Sequence, residues 1–151
     1  MQIEQYNMII IPILVLILTR AIKFIIFYFK HDRNFGYTIK HAMSYGHMPS
    51  VHTALMMSIV TSIGYYEGIN SGVFALSVVL AVLIIDDATR LRVYMGNLGR
   101  YINMLALKAD VDDKEKYPRL KERMGHRTSE VIAGGIIGLF LSMILIEILT
   151  F

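Results

Sequence analysis

The chain has 151 residues, 55% of them hydrophobic and 18% charged, with a mean hydropathy of +0.52. That length suits one domain, and the apolar excess over the usual 45–50% or so excludes a disordered or wholly soluble chain. With no cysteine and a net charge of only +3, disulfide frameworks, thiolate zinc sites and cysteine nucleophiles are excluded, and the charge points to no nucleic acid.

A membrane-crossing helix needs about 20 mostly apolar residues. Met8 to Phe29 is the first candidate; it is uninterrupted to Leu18 and then carries Arg20 and Lys23. It is too long for a signal-peptide core and lacks a basic start and a small-residue cleavage site, so it reads as a retained helix. The second candidate is 49–66, followed by a short link from Glu67 to Ser71. The third, 72–95, has a clean apolar run only as far as Ile85, about 21 Å of helix at 1.5 Å per residue. It therefore has to continue through Asp86, Asp87, Arg90 and Arg92. A polar loop with a short amphipathic helix is expected over 96–129, and the fourth span over 131–151, where Gly134 and Gly138 permit close helix approach. The expected fold is all-α: a single integral membrane domain, an antiparallel bundle of about four transmembrane helices.

Charge distribution orients that bundle. Of the fifteen Lys and Arg residues, five lie in or beside the first loop, between Arg20 and Lys40, and ten in or beside the third, between Arg90 and Arg127. The excess of cytoplasmic Lys and Arg in membrane proteins places both loops inside and both termini outside, as in a cell-membrane protein.

Three polar segments sit where the spans meet the basic side, and ionisable residues at membrane depth mark functional sites by default. Gly46-His-Met-Pro-Ser-Val-His-Thr-Ala54 opens span two. Pro49 suits the first helical position, which puts Ser50 and His52 in a first turn whose N–H groups attract anions. The bland reading is a capped helix start with a surface histidine. Asp86-Asp-Ala-Thr-Arg-Leu-Arg92 closes span three; its arginines suit phosphate oxygens and its carboxylates could orient them, or the arginines simply reach to lipid headgroups. Met124-Gly-His-Arg-Thr-Ser-Glu-Val131 opens span four. His126 and Glu130, four apart, share a helix face, and a carboxylate on one imidazole nitrogen leaves the other free to attack; otherwise Thr128 or Ser129 is a plain cap. Lys23, inside span one, is a phosphate ligand if these groups converge. The combination reads as phosphoryl chemistry with a histidine nucleophile.

The same three segments resemble the divergent branch of the type-2 phosphatidic acid phosphatase superfamily, related to acid phosphatases and vanadium-dependent haloperoxidases. Pro49-Ser-Val-His52 is similar to its P-S-G-H motif, with Val for Gly. His126-x3-Glu130 is similar to the end of S-R-x5-H-x3-D, with Glu for Asp. Gly46 to Ala54, Asp87 to Val93, Met124 to Val131 and Arg20-Ala-Ile-Lys23 resemble the branch's own signatures in order and spacing.

The resemblance implies a metal- and cofactor-independent phosphatase acting on a lipid phosphate or related monoester or diphosphate. His126 is then the nucleophile that forms a phosphohistidine, Glu130 orients it, and His52 protonates the leaving alcohol. Ser50 and the Val51 amide hold phosphate oxygens, and Lys23 and Arg92 neutralise them. Arg90, where the branch usually has Gly, is the lesser arginine; Asp87 and Gly46 lend support. The first motif's Arg-Pro is absent after Lys23, and no Ser-Arg stands close before His126. A non-catalytic binder of anionic headgroups is the alternative. A metal-dependent phosphotransferase fits poorly, because Tyr94 to Leu107 contains no further Asp. The expected partners are a phosphorylated small molecule or lipid and membrane lipids, not nucleic acid, with room for a homo-oligomer.

Overall fold

The computed structural model describes residues 2–30, 35, 36, 38, 48–109, 118–122 and 124–150, with side chains from residue 6 onward. All regular structure among these residues is helical: α1 (Gln2–Lys30), α2 (Val51–Tyr66), α3 (Gly72–Asp86), a π-helical turn (Asp87–Leu91), α4 (Arg92–Lys108) and α5 (Thr128–Thr150). Among the described residues, three stretches are long and apolar enough to cross a membrane: Tyr6–Lys30, Gly72–Lys108 and Thr128–Thr150. The segment read as span two is the 16-residue α2, about 24 Å long.

Helix α2 is the hub, packed against α1, α3 and α5. Its contact rows advance four residues at a time, the spacing at which side chains stack on one helix face. On α1 the buried row is Asn7, Ile11, Val15, Thr19, Lys23 and Phe27. On α5 it is Glu130, Gly134, Gly138, Ser142 and Ile146.

Helix α5 lies on α2 in a constant register. A Cβ on Gly134 would stand 2.3 Å from the Ser50 carbonyl oxygen, and one on Gly138 would stand 2.3 Å from that of Ala54. One turn further on, Ser142 Oγ and Ser58 Oγ are 2.7 Å apart. Both chains advance together, so α2 and α5 run parallel, and bare glycine lets their backbones touch. Gly134 and Gly138 thus serve packing inside the chain. Helix α1 runs the other way, since Asn7 Nδ2 donates to the Leu149 carbonyl at the far end of α5. The starts of α2 and α5, the end of α3 and the Lys23 turn of α1 therefore share one end of the bundle.

The third apolar segment does not stop at its charges. Gly72 to Lys108 is one helical element of 37 residues, so Gly96 to Lys108, expected within the polar loop, is helix. The π turn adds a residue and re-phases α4 against α3, a distortion that often marks a functional site. Residues 118–122, with Met124 and Gly125, then run back along α4. Cβ atoms on Gly96 and Gly99 would stand 2.8 Å and 2.7 Å from the Glu122 and Lys121 carbonyl oxygens. Asn103 clamps this strap: its Nδ2 donates to the Leu120 carbonyl and to Glu122 Oε1, both at 2.9 Å, and its Oδ1 accepts from Leu120 N at 3.0 Å.

Candidate functional site

Ser50, not Pro49, sets the start of α2. It is the N-cap, its Oγ 3.5 Å from Thr53 N and accepting from Thr53 Oγ1 at 2.9 Å. Pro49 therefore lies one position outside the helix, and Val51 and His52 fill its first two positions. Ser50 is fully buried, and its backbone N–H donates to the Glu130 carbonyl at 3.1 Å, which ties the starts of α2 and α5 together. The first-turn amides that follow have no carbonyl partner within the helix, as at any helix N-terminus. Val51, in place of the motif's glycine, is itself largely buried.

The start of α5 is held by Glu130 rather than by Thr128 or Ser129. Glu130 Oε2 accepts from the Arg127 backbone N–H at 3.2 Å, the reach-back half of a capping box. The same oxygen lies 2.9 Å from His126 Nδ1. Both side chains are buried, with the imidazole 5% and the carboxyl 10% exposed. A carboxylate accepts only, so against it Nδ1 is the donor, and in the neutral ring Nε2 then keeps its lone pair. The backbone before His126 is shaped by Gly125 at φ +88°, where a Cβ would stand 2.7 Å from Val93 Cγ2. His126 N then donates to the Ala88 carbonyl in the π turn at 3.0 Å. The helix distortion thus supplies an anchor for the candidate nucleophile.

Arg92 and Asp87 are paired, Nε to Oδ2 at 2.8 Å, each about one-third exposed. The charges of Arg92, Lys23 and Arg20 and the ring of His126 all lie within electrostatic reach of His52. The Glu130 carboxylate lies within reach of Lys23. Lys23 is 9% exposed and occupies the row facing α2 and α5, whereas Arg20 points outward.

Contacts join His126 to Glu130, Arg92 to Asp87 and Ser50 to the start of α5; Lys23 and Val51 lie buried at the same end of the bundle, and His52 is exposed there in the first turn of α2. Arg90 is not brought in: it is 81% exposed and paired to Asp86 at 3.3 Å. Gly46 lies outside the described residues. Sequence reasoning missed Gly96, Gly99, Asn103 and Gly125, which lay the strap against α4. The available signal was the spacing of Gly96, Gly99 and Asn103 on one helical face.

Comparison with known proteins identifies the family. The Divergent PAP2 family matches residues 5–141. The uncharacterized membrane protein YuiD of Bacillus subtilis (strain 168) is 34% identical, over 68% of this chain and 72% of its own. No solved structure matches. With three membrane-length apolar helices, a membrane-protein relative and a family match over most of its length, this chain is a membrane protein and belongs to the Divergent PAP2 family.

Proposed function

We propose that the protein is a metal-independent membrane phosphatase that hydrolyses a lipid phosphate or related phosphomonoester or diphosphate. The observation carrying this reading is the buried His126–Glu130 pair, Nδ1 to Oε2 at 2.9 Å, beside the capped start of α2. His126 Nε2 attacks phosphorus while the bond to the leaving oxygen breaks, and His52 donates a proton to that oxygen. Water then attacks the phosphohistidine, His52 takes its proton, and phosphate leaves with His126 restored. Lys23, Arg92, the Ser50 hydroxyl and the α2 first-turn amides, that of Val51 included, stabilise charge on the phosphoryl oxygens. The topology we propose has α2 completing a four-helix bundle in the cell membrane, both chain ends outside and the site at the cytoplasmic end, as the clustered basic residues favour.

The test is turnover by purified protein across a panel of lipid phosphates, with and without EDTA, and acid-stable or acid-labile adduct analysis after rapid quench. Turnover that resists EDTA, with an acid-labile adduct lost in His126→Ala, supports the reading. Undiminished turnover in that variant, or none with any substrate, overturns it. Val51 favours a second reading, since its side chain stands where the motif has none: a headgroup binder without turnover. Phosphate or vanadate binding with no adduct on His126 would select it.

A further inference from the structure

Helix α4 carries its strap on one side and a different pattern on the other. Leu91, Tyr94, Leu98, Tyr101 and Leu105 follow a three–four spacing, the repeat of a coiled-coil seam. All five are exposed, at 54%, 62%, 42%, 61% and 65%. At 100° per residue they centre about 150° around the helix from Gly96, Gly99 and Asn103, the three residues of α4 that are buried. The pattern begins at the end of the π turn, which breaks the phase with α3.

We propose that this seam pairs with the same seam of a second copy of the chain, making a parallel α4–α4 contact. Three considerations select that occupant. Two copies in one membrane with the same topology are related by an axis along the membrane normal, so their α4 helices run parallel. The leucines then face leucines and the tyrosines face tyrosines, without any register shift. The five side chains leave on the order of 600 Å² exposed per copy, or roughly 1,200 Å² across a pair, the lower bound of a stable interface. The 37-residue element from Gly72 to Lys108 spans about 55 Å, whereas a bilayer with its headgroups is about 40–45 Å thick. An upright helix therefore extends past the headgroups by about its last 7–10 residues, which include Tyr101 and Leu105. One flank of the seam carries Arg90, Asn97 and Lys108, which keeps that side open to water; on the other the apolar surface continues in Met95 and Ile102, exposed at 49% and 50%.

The chain contains no cysteine, which makes the test direct and independent of any activity. Single Leu98→Cys, Tyr101→Cys and Leu105→Cys variants of the full chain are oxidised in native membranes beside Leu107→Cys, an equally accessible site (76% exposed) outside the seam. Facing seam positions place Cα atoms within disulfide reach. The expected result is a covalent dimer at the three seam positions, several-fold above Leu107→Cys. The unsubstituted chain in mild detergent should have the mass of two copies, and Tyr101→Lys the mass of one. Equal cross-linking at all four positions, or a wild-type monomer with no cross-link anywhere, overturns the proposal; the second outcome would mean that lipid covers the seam.

Discussion

Asp87 and Arg92 are joined twice. The Arg92 backbone N–H donates to the Asp87 carbonyl, and the Arg92 Nε donates to Asp87 Oδ2 at 2.8 Å. In a regular α-helix, residues five apart point about 140° from one another. The i to i+5 bond of the π turn narrows that angle and lets the side chains meet, so the distortion itself aims the guanidinium.

Substituting this pair should separate aim from charge. Arg92→Lys keeps the charge but loses the planar fork, and should reduce kcat/KM by about 10- to 100-fold, the range of a charge-assisted hydrogen bond. Asp87→Asn should cost less, about threefold to tenfold, because Arg92 remains but is less firmly aimed. Both side chains are partly exposed, so stability should change by no more than about 1 kcal/mol. Steady-state kinetics beside thermal unfolding in detergent would show whether activity falls further than stability.

Glu130 has two duties that two substitutions can divide. Glu130→Gln retains an oxygen for the His126 and Arg127 N–H groups but removes the charge opposite the imidazolium that would form. It should lower turnover by about 10²-fold or more with little change in fold. Glu130→Ala also removes a helix cap, and should lower stability by about 1 kcal/mol in addition. If both variants lose activity and stability together, Glu130 is a cap alone.

The α2–α5 contact predicts a sharp contrast between adjacent glycines. Gly134→Ala and Gly138→Ala would press a methyl group onto backbone carbonyls at 2.3 Å, and backbone cannot step aside as a side chain can. Each should destabilise by at least about 1–3 kcal/mol, the usual penalty of overpacking. Gly135→Ala meets only the Met57 and Thr53 side chains at 3.6–3.7 Å, and should be neutral or slightly stabilising as alanine favours helix. Equal unfolding temperatures for Gly134→Ala and Gly135→Ala would contradict the packing.

The strap should loosen in acid. Hydrogen bonds from Asn103 and Arg119 hold the Glu122 carboxyl below its ordinary value of 4.5. A depressed carboxylate adds stability that is fully present above its unfolded value and is lost as pH falls through its folded one. Hydrogen exchange at the Leu120 amide should therefore be slow and pH-insensitive, after correction for intrinsic rates, above about pH 5. It should speed up as the pH is taken below the ordinary carboxylate range. Asn103→Leu should show fast exchange throughout.

The motif ends of this site were legible because their chemistry is local. His126 and Glu130 meet at their four-residue spacing, although His126 stands two residues before α5 and not on its face; Ser50, expected in the first turn of α2, is its cap. Lys23 and Arg20 share a segment, but only packing separates them: Lys23 falls in the four-residue row that meets α2, and Arg20 does not. Asp87 and Arg92 were visible as charges, but no residue type announces a π turn, so their pairing was not. The polar residues after Ile85 resembled the end of a span. Nothing from Asp86 to Lys108 breaks a helix, however, because Gly96 and Gly99 are kept small for the strap rather than for a turn.

A single carboxylate oxygen of Glu130 both begins helix α5 and holds the ring of His126. The first turn of α5 and the orientation of the imidazole are therefore one event. Whenever that turn frays, the ring loses the bond that selects its tautomer, and the lone pair is no longer directed. On the proposed mechanism, reactivity is then confined to the moments when the helix is fully wound. Anything that tightens or loosens the start of α5, whether lipid, detergent or a bound anion, would then set the working fraction of molecules without touching the atoms proposed to react.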